Sequence, residues 1–172
     1  MSFDSALEFV LGYEGGYSNN PKDPGGETNL GITQRTLTEY VRTHSASGLP
    51  TDVRALKRGQ AAKIYHDWYW LPISGDDLPP AIALLVFDCA VNQGVARAAR
   101  ILQDALGVKV DGVIGPLTIA AARQATAAVL MREIALGRAL AYVATGNMQS
   151  FGKGWFRRLF ACVIEAVRVM RA

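Results

Sequence analysis

The stretch EGGYSNNPKDPGGETNLGITQ, residues 14–34, places Glu14, Asp23 and Thr28 among glycines, prolines and asparagines. Leu7, Val10 and Leu11 recur at helical spacing just before it, which predicts a helix over 4–14 that Gly15 and Gly16 stop. Glu14 then sits at the negative end of a helix dipole beside Tyr13 and Tyr17, and both influences raise a carboxyl pKa. A carboxylic acid that keeps its proton near neutral pH is what a general acid needs. Asp23 falls in a Pro/Gly-bounded turn, where solvent keeps it ionised, and Thr28 supplies a hydroxyl that can hold a water. One carboxyl that gives a proton and a second that activates water is the logic of inverting glycoside hydrolysis. On composition alone the same residues also read as turn formers with an exposed helix end.

The elements that must position this stretch are nearly all helical. Thr33 reads as an N-cap for a helix through about His44. Residues 52–70 read as two short helices, or one broken near Gly59. Pro79–Pro80 can open an apolar helix over 81–93 that ends at Gly94; a helix over 95–106 follows, with Gly107 just past its end. VKVDGVIGP is a loop, Pro116 begins a short helix, and 126–145 and about 154–170 are the last two. Only residues 17–32 have the turn chemistry for a small hairpin. The expected class is all-α, a single domain over 1–172 with one irregular polar lobe.

Composition narrows the function classes. A chain of 172 residues that is 50% hydrophobic is long enough for a real core and too apolar for disorder. Cys89 and Cys162, both in apolar helical patterns, read as buried thiols. His44 and His66 match no metal-ligand spacing, so no metal and no cofactor are expected. GETNLG lacks the spacing of a phosphate-binding loop. Residues 1–50 carry three Lys/Arg against six Asp/Glu, whereas 113–172 carry eight against two. That basic final third suits a polyanionic partner or a solvated face. No nucleic-acid motif accompanies it, so nucleic acid is not expected as a partner.

The string E-G-G-Y…D-x-G-G-x-T-x-x-G-I-T resembles the signature of glycoside hydrolase family 108, the N-acetylmuramidase family of phage endolysins. The resemblance places Glu14 on the family's catalytic glutamate, with Asp23 and Thr28 positioning the water as in phage-type lysozymes. YHDWYW (65–70) is similar to the family's aromatic helix end and FDCAVNQG (87–94) to its central buried helix. LQDALGVKVDGVIGPLTIAA (102–121) is similar to a small peptidoglycan-binding segment, and GKGWFRRL (152–159) to the terminal helix. The resemblance therefore implies a lysozyme-like fold with a catalytic half, 1–93, and a peptidoglycan-binding-like helical half, 94–172. Its expected partner is the peptidoglycan glycan strand, and its expected state is a monomer.

Other residues carry two readings each. Asp88 interrupts the apolar run LLVFDCAV, and Asn92 shares its helix face with Gln93 following. The three read either as lining a saccharide groove, favoured for Asn92, or as a buried hydrogen-bond network. Tyr17, three residues after Glu14, and Asn29, next to Thr28, are expected to touch substrate. Trp70, with Trp68 and Tyr69, could stack on sugar rings, although such a cluster at a helix end more often anchors a core. VIEAVRVMRA is amphipathic and ends basic; it could touch an anionic membrane surface, or simply pack on the core. The N-terminus has no basic region, and Asp4 and Glu8 interrupt its apolar stretch, so no secretory signal is read. The expectation is cytoplasmic synthesis and release to the wall through a holin, a secretion system or lysis, in a phage or prophage setting. Two rival functions stand beside the muramidase: a lytic transglycosylase using Glu14 alone, and a non-catalytic peptidoglycan-binding or secretion-associated module.

Overall fold

The computed structural model describes residues 1–13, 17, 26–44 and 48–172. Among them are eight α-helices and one two-stranded sheet, the mainly helical class expected. The chain forms two compact units, one of residues 7–67 and one of 1–6 with 68–172.

The first unit contains most of α1 (Phe3–Leu11), strands β1 (Thr28–Asn29) and β2 (Ile32–Thr33), α2 (Gln34–Thr43), a 3₁₀ turn (Val53–Ala55) and α3 (Arg58–Tyr65). The hairpin pairs Thr28 with Thr33 and Asn29 with Ile32, at the far end of the window read from sequence. Leu30 and Gly31 turn between them with φ of 52° and 74°. Two positive φ values match the right-handed twist of a tight hairpin, and a leucine in that conformation is uncommon. The Tyr65 hydroxyl donates to the Leu30 carbonyl at 3.1 Å and braces it. Thr33 caps α2 as expected, its hydroxyl accepting from the Thr36 N–H at 3.1 Å. The helical break within 52–70 falls at Leu56–Lys57 and not at Gly59, because Gln60 caps the Lys57 N–H and so starts α3 ahead of the glycine.

α3 passes into a single π turn, His66–Trp70. Asp67, the last residue of the first unit, accepts from the Tyr40 hydroxyl at 2.5 Å, from Lys63 at 3.1 Å and pairs with His66 Nδ1 at 3.1 Å. Burial works to raise its pKa, but these bonds and the Lys63 charge outweigh burial and hold it at about 2.

In the second unit, α4 (Pro80–Gln93) is the central element. Residues 81–90 are all buried, which is why this helix is apolar on every side. It packs against α5 (Val95–Ala105), α7 (Ala127–Val143) and α8 (Met148–Arg171), with α6 (Pro116–Gln124) between α5 and α7 in sequence. α8 begins at Met148, six residues before the sequence reading placed it. Gly152 and Gly154 lower helix propensity, but Gly152 is buried with the Met148 side chain over it, and packing overrides the local preference. The loop after α5 is organised by the buried Gln103. Its amide oxygen accepts from the Asp111 and Gly112 N–H groups at 3.1 and 2.8 Å, and its nitrogen donates to Asp111 Oδ1 at 2.8 Å and the Val113 carbonyl at 3.0 Å.

Asp88, fully buried on α4, accepts from Arg138 of α7 at 2.6 Å and from Arg158 of α8 at 2.8 Å. One carboxylate thus ties three helices together. Cys89 and Cys162, both free and buried, lie in the same helices, and burial pushes the Cys89 thiol up to about 11.

Two stability predictions follow from these clusters. Asp88→Asn removes the charge that two guanidinium groups share inside the core, and should cost about 3–5 kcal/mol in urea unfolding. The Asp67 carboxylate has a folded pKa of about 2 against 3.8 in the open chain, so its contribution is complete above 3.8 and is lost as pH falls towards 2. Asp67→Asn should therefore lower Tm at pH 7, and the gap from wild type should close between pH 4 and pH 2 in thermal scans.

Candidate functional site

Glu14 and Asp23 lie outside the described residues. α1 ends at Leu11, three residues before Glu14, with the Gly12 N–H closing on the Glu8 carbonyl at 3.1 Å. The other residues expected in the site fall in both compact units, and each group has its own local chemistry.

In the first unit, Tyr17 is half exposed and its hydroxyl donates to Glu27 Oε1 at 3.1 Å. Arg54 stands 4.0 Å from Glu27 and 3.2 Å from Asp52, linking a half-buried and an exposed carboxylate beside the hairpin. Thr28, half-buried on β1, donates to the Gly26 carbonyl at 3.3 Å, which leaves its oxygen lone pairs open. Asn29 is turned to a structural task. Its amide nitrogen donates to the carbonyls of Val53 and Leu56 at 3.0 and 3.2 Å, and Gln34 fixes the same turn by accepting from the Val53 N–H at 2.8 Å. The hairpin that carries Thr28 is thereby locked to the 3₁₀ turn, and the amide hydrogens of Asn29 are not offered to a ligand.

In the second unit the structure separates the residues that the sequence grouped. Asp88 lines no groove: it is enclosed by the two arginines, so the buried-network alternative is the one observed. Trp70 is also corrected. Its ring is fully buried against Phe3 and Phe87, with centroids 5.6 and 5.3 Å away, and its indole N–H donates to Asp76 at 3.0 Å. It is a core anchor and presents no face to a sugar. Gly75 packs so closely on the indole that an added Cβ would lie 2.4 Å from it, which explains the glycine in that loop.

Asn92 and Gln93 do reach a cleft. It has a volume of about 180 Å³ and is lined by these two residues with Arg97, Tyr142, Thr145 and Trp155. Gln93 accepts from the Cys89 thiol at 3.2 Å and donates to the Arg138 carbonyl at 3.4 Å; Asn92 accepts from the Tyr142 hydroxyl at 2.6 Å. Tyr142 stacks on Trp155 at 5.1 Å. Sequence reasoning found the two amides and missed Arg138, Tyr142 and Trp155. The available signal was an arginine inside the apolar segment LMREIALGRALAY, four residues before a tyrosine and so on one helix face.

Among the described residues no group of three His, Cys, Asp or Glu side chains could hold a metal ion, and no helix is long and apolar enough to cross a membrane.

Comparison with known proteins separates the chain differently from its compact units. The model for glycosyl hydrolase 108 matches residues 7–94, and that for a predicted peptidoglycan domain matches residues 97–160. No curated protein matches the chain. Among solved structures, the structure of Brucella abortus SagA is 38% identical, with a TM-score of 0.88, over 99% of this chain and 96% of that one. Together these matches support a glycoside hydrolase that acts on peptidoglycan. With half of its length matched by the family model, including the E-G-G-Y and D-x-G-G-x-T motifs, the chain belongs to glycosyl hydrolase family 108.

Proposed function

We propose that the chain is an N-acetylmuramidase that cleaves the β-1,4 bond between N-acetylmuramic acid and N-acetylglucosamine in peptidoglycan. The observation that carries this reading is the E-G-G-Y…D-x-G-G-x-T string lying inside the matched hydrolase segment, directly after α1. Glu14 protonates the glycosidic oxygen as the bond to the anomeric carbon breaks. Asp23 takes a proton from a water that attacks the opposite face of the sugar, and Thr28, on its braced hairpin, holds that water. The product retains a reducing N-acetylmuramic acid end with inverted anomeric configuration, as expected for two carboxyls separated by roughly 6.5–9.5 Å.

The exposed stripe of α8, Lys153, Arg157, Phe160, Ile164, Arg168 and Arg171, supports a second contact, with an anionic membrane surface. Cations at both ends of a short apolar patch suit a helix lying in a charged interface. The protein should sediment with phosphatidylglycerol vesicles at low salt, much less with phosphatidylcholine vesicles, and Arg157→Glu/Arg168→Glu should abolish the difference.

The catalytic reading is tested by digesting purified sacculi and analysing the soluble products by mass spectrometry. Wild type should release muropeptides with reducing N-acetylmuramic acid ends, and Glu14→Gln should lower the rate about 10²–10⁴-fold, the typical contribution of a general acid. Asp23→Asn should also be strongly impaired, and proton NMR of fresh product should show the α-anomer first. Anhydro ends would make the protein a lytic transglycosylase and remove the role of Asp23.

A further inference from the structure

We propose that the cleft bordered by α4, α5, α7 and α8 and lined by Asn92, Arg97, Tyr142 and Trp155 binds a carboxylate of the peptidoglycan stem peptide. The proposal rests on peptidoglycan being the substrate, and adds a second recognition point on that polymer, distinct from the glycosidic bond.

Among the described side chains that line the cleft, hydrogen bonding leaves more donors than acceptors over. Arg138, held by Asp88, directs its Nη2 towards the Tyr142 hydroxyl at 3.5 Å. The Tyr142 proton is then available for Asn92 Oδ1, at 2.6 Å. Burial raises the pKa of Tyr142, so that proton stays in place. With its oxygen facing the tyrosine, the Asn92 amide presents its two hydrogens elsewhere. The chain from guanidinium to phenol to amide polarises each member and strengthens the last donor. Gln93 has both ends occupied, and Thr145 spends its hydrogen on the Tyr142 carbonyl at 2.7 Å. The exposed guanidinium of Arg97 and the indole N–H of Trp155 make no hydrogen bond among the described residues.

Asn92, Arg97 and Trp155, each with a donor group, therefore line a space that no Asp or Glu among the described residues lines. A sugar hydroxyl brings a donor as well as an acceptor, and its hydrogen would find little to bond to there. A carboxylate brings acceptors only, and a guanidinium is its natural partner. The volume of about 180 Å³ is below the 300–1,000 Å³ of pockets that enclose whole drug-sized ligands, so the fit is to a small group at the end of a larger molecule. In peptidoglycan the free carboxylates are carried by the stem peptides, and the glycan strand between them is neutral. Arg97, Tyr142, Thr145 and Trp155 all fall in the segment that matches the peptidoglycan domain, whereas Asn92 closes the cleft from the hydrolase segment.

The test uses the full chain and the isolated tetrapeptide L-Ala-D-Glu-diaminopimelate-D-Ala, which contains no glycosidic bond. Titration calorimetry should show binding to wild type, at least tenfold weaker binding by Arg97→Gln, and at least tenfold weaker binding of the peptide with its carboxylates amidated. Quenching of tryptophan fluorescence by the peptide should disappear in Trp155→Phe. Circular dichroism of the variants should match wild type, and the amidated peptide needs no variant at all. No binding of the tetrapeptide, or equal binding of the free and amidated forms, would overturn the proposal. Sacculus digestion by the same wild-type preparation separates the two readings: normal muropeptide release without tetrapeptide binding removes the cleft's role and leaves the hydrolase, while tetrapeptide binding without release removes the muramidase and leaves the cleft.

Discussion

Three helices meet on one buried carboxylate. Asp88 has no solvent exposure, and Arg138 and Arg158 reach it from α7 and α8 at 2.6 and 2.8 Å. Each ion alone would cost several kcal/mol to bury, so the arrangement holds only while all its members are present. Its consequence is positional. α4 is apolar on every side and could rotate or slide against its neighbours with little change in burial. The carboxylate fixes its rotation and depth relative to α7 and α8. Asn92 and Gln93, one turn further along α4, are thereby brought to the mouth of the cleft, and Tyr142, one turn along α7 from Arg138, is set opposite them.

The other unit solves the same problem with neutral hydrogen bonds. Its hairpin has only two residue pairs and is too short to be stable by itself. Asn29 and Gln34 fasten it to the backbone of residues 53–56, and Tyr65 holds the carbonyl of a leucine in a left-handed turn. Strain of that kind persists where surrounding contacts over-determine the backbone, and it often accompanies a functional loop. Thr28 is placed by this frame, so the geometry proposed for its water depends on residues that never touch substrate.

The boundary between the matched segments and the boundary between the compact units do not coincide. The hydrolase segment runs to residue 94, whereas the second compact unit takes up the chain again from residue 68. α4 belongs to the hydrolase segment by sequence and forms the centre of the unit that contains the peptidoglycan-domain segment. The two matched segments therefore share a core, and the polar residues that link them, Asp88 with Arg138 and Asn92 with Tyr142, are where a change in one would be felt by the other.

The sequence by itself determined the local elements and the family. Thr33, Pro80, Gly94, Gly107 and Pro116 mark helix ends by rules that involve only a few neighbouring residues, and the structure places the ends there. The string from Glu14 to Thr33 carried the family assignment because its glycines and acids are fixed in order along the chain. Tertiary structure alone decided which polar residues meet ligand. Trp70 and Asp88 each carry a groove reading and a core reading in one dimension and both prove to be buried; for Asp88, a periodicity argument cannot give a face to a helix that is apolar all round. Asn29 looked available and is bound to carbonyls 24 and 27 residues away. Arg138 and Tyr142 could not be assigned to Asp88 and Asn92 across 50 residues, because pairing at that distance depends on how helices pack, and no local propensity encodes it.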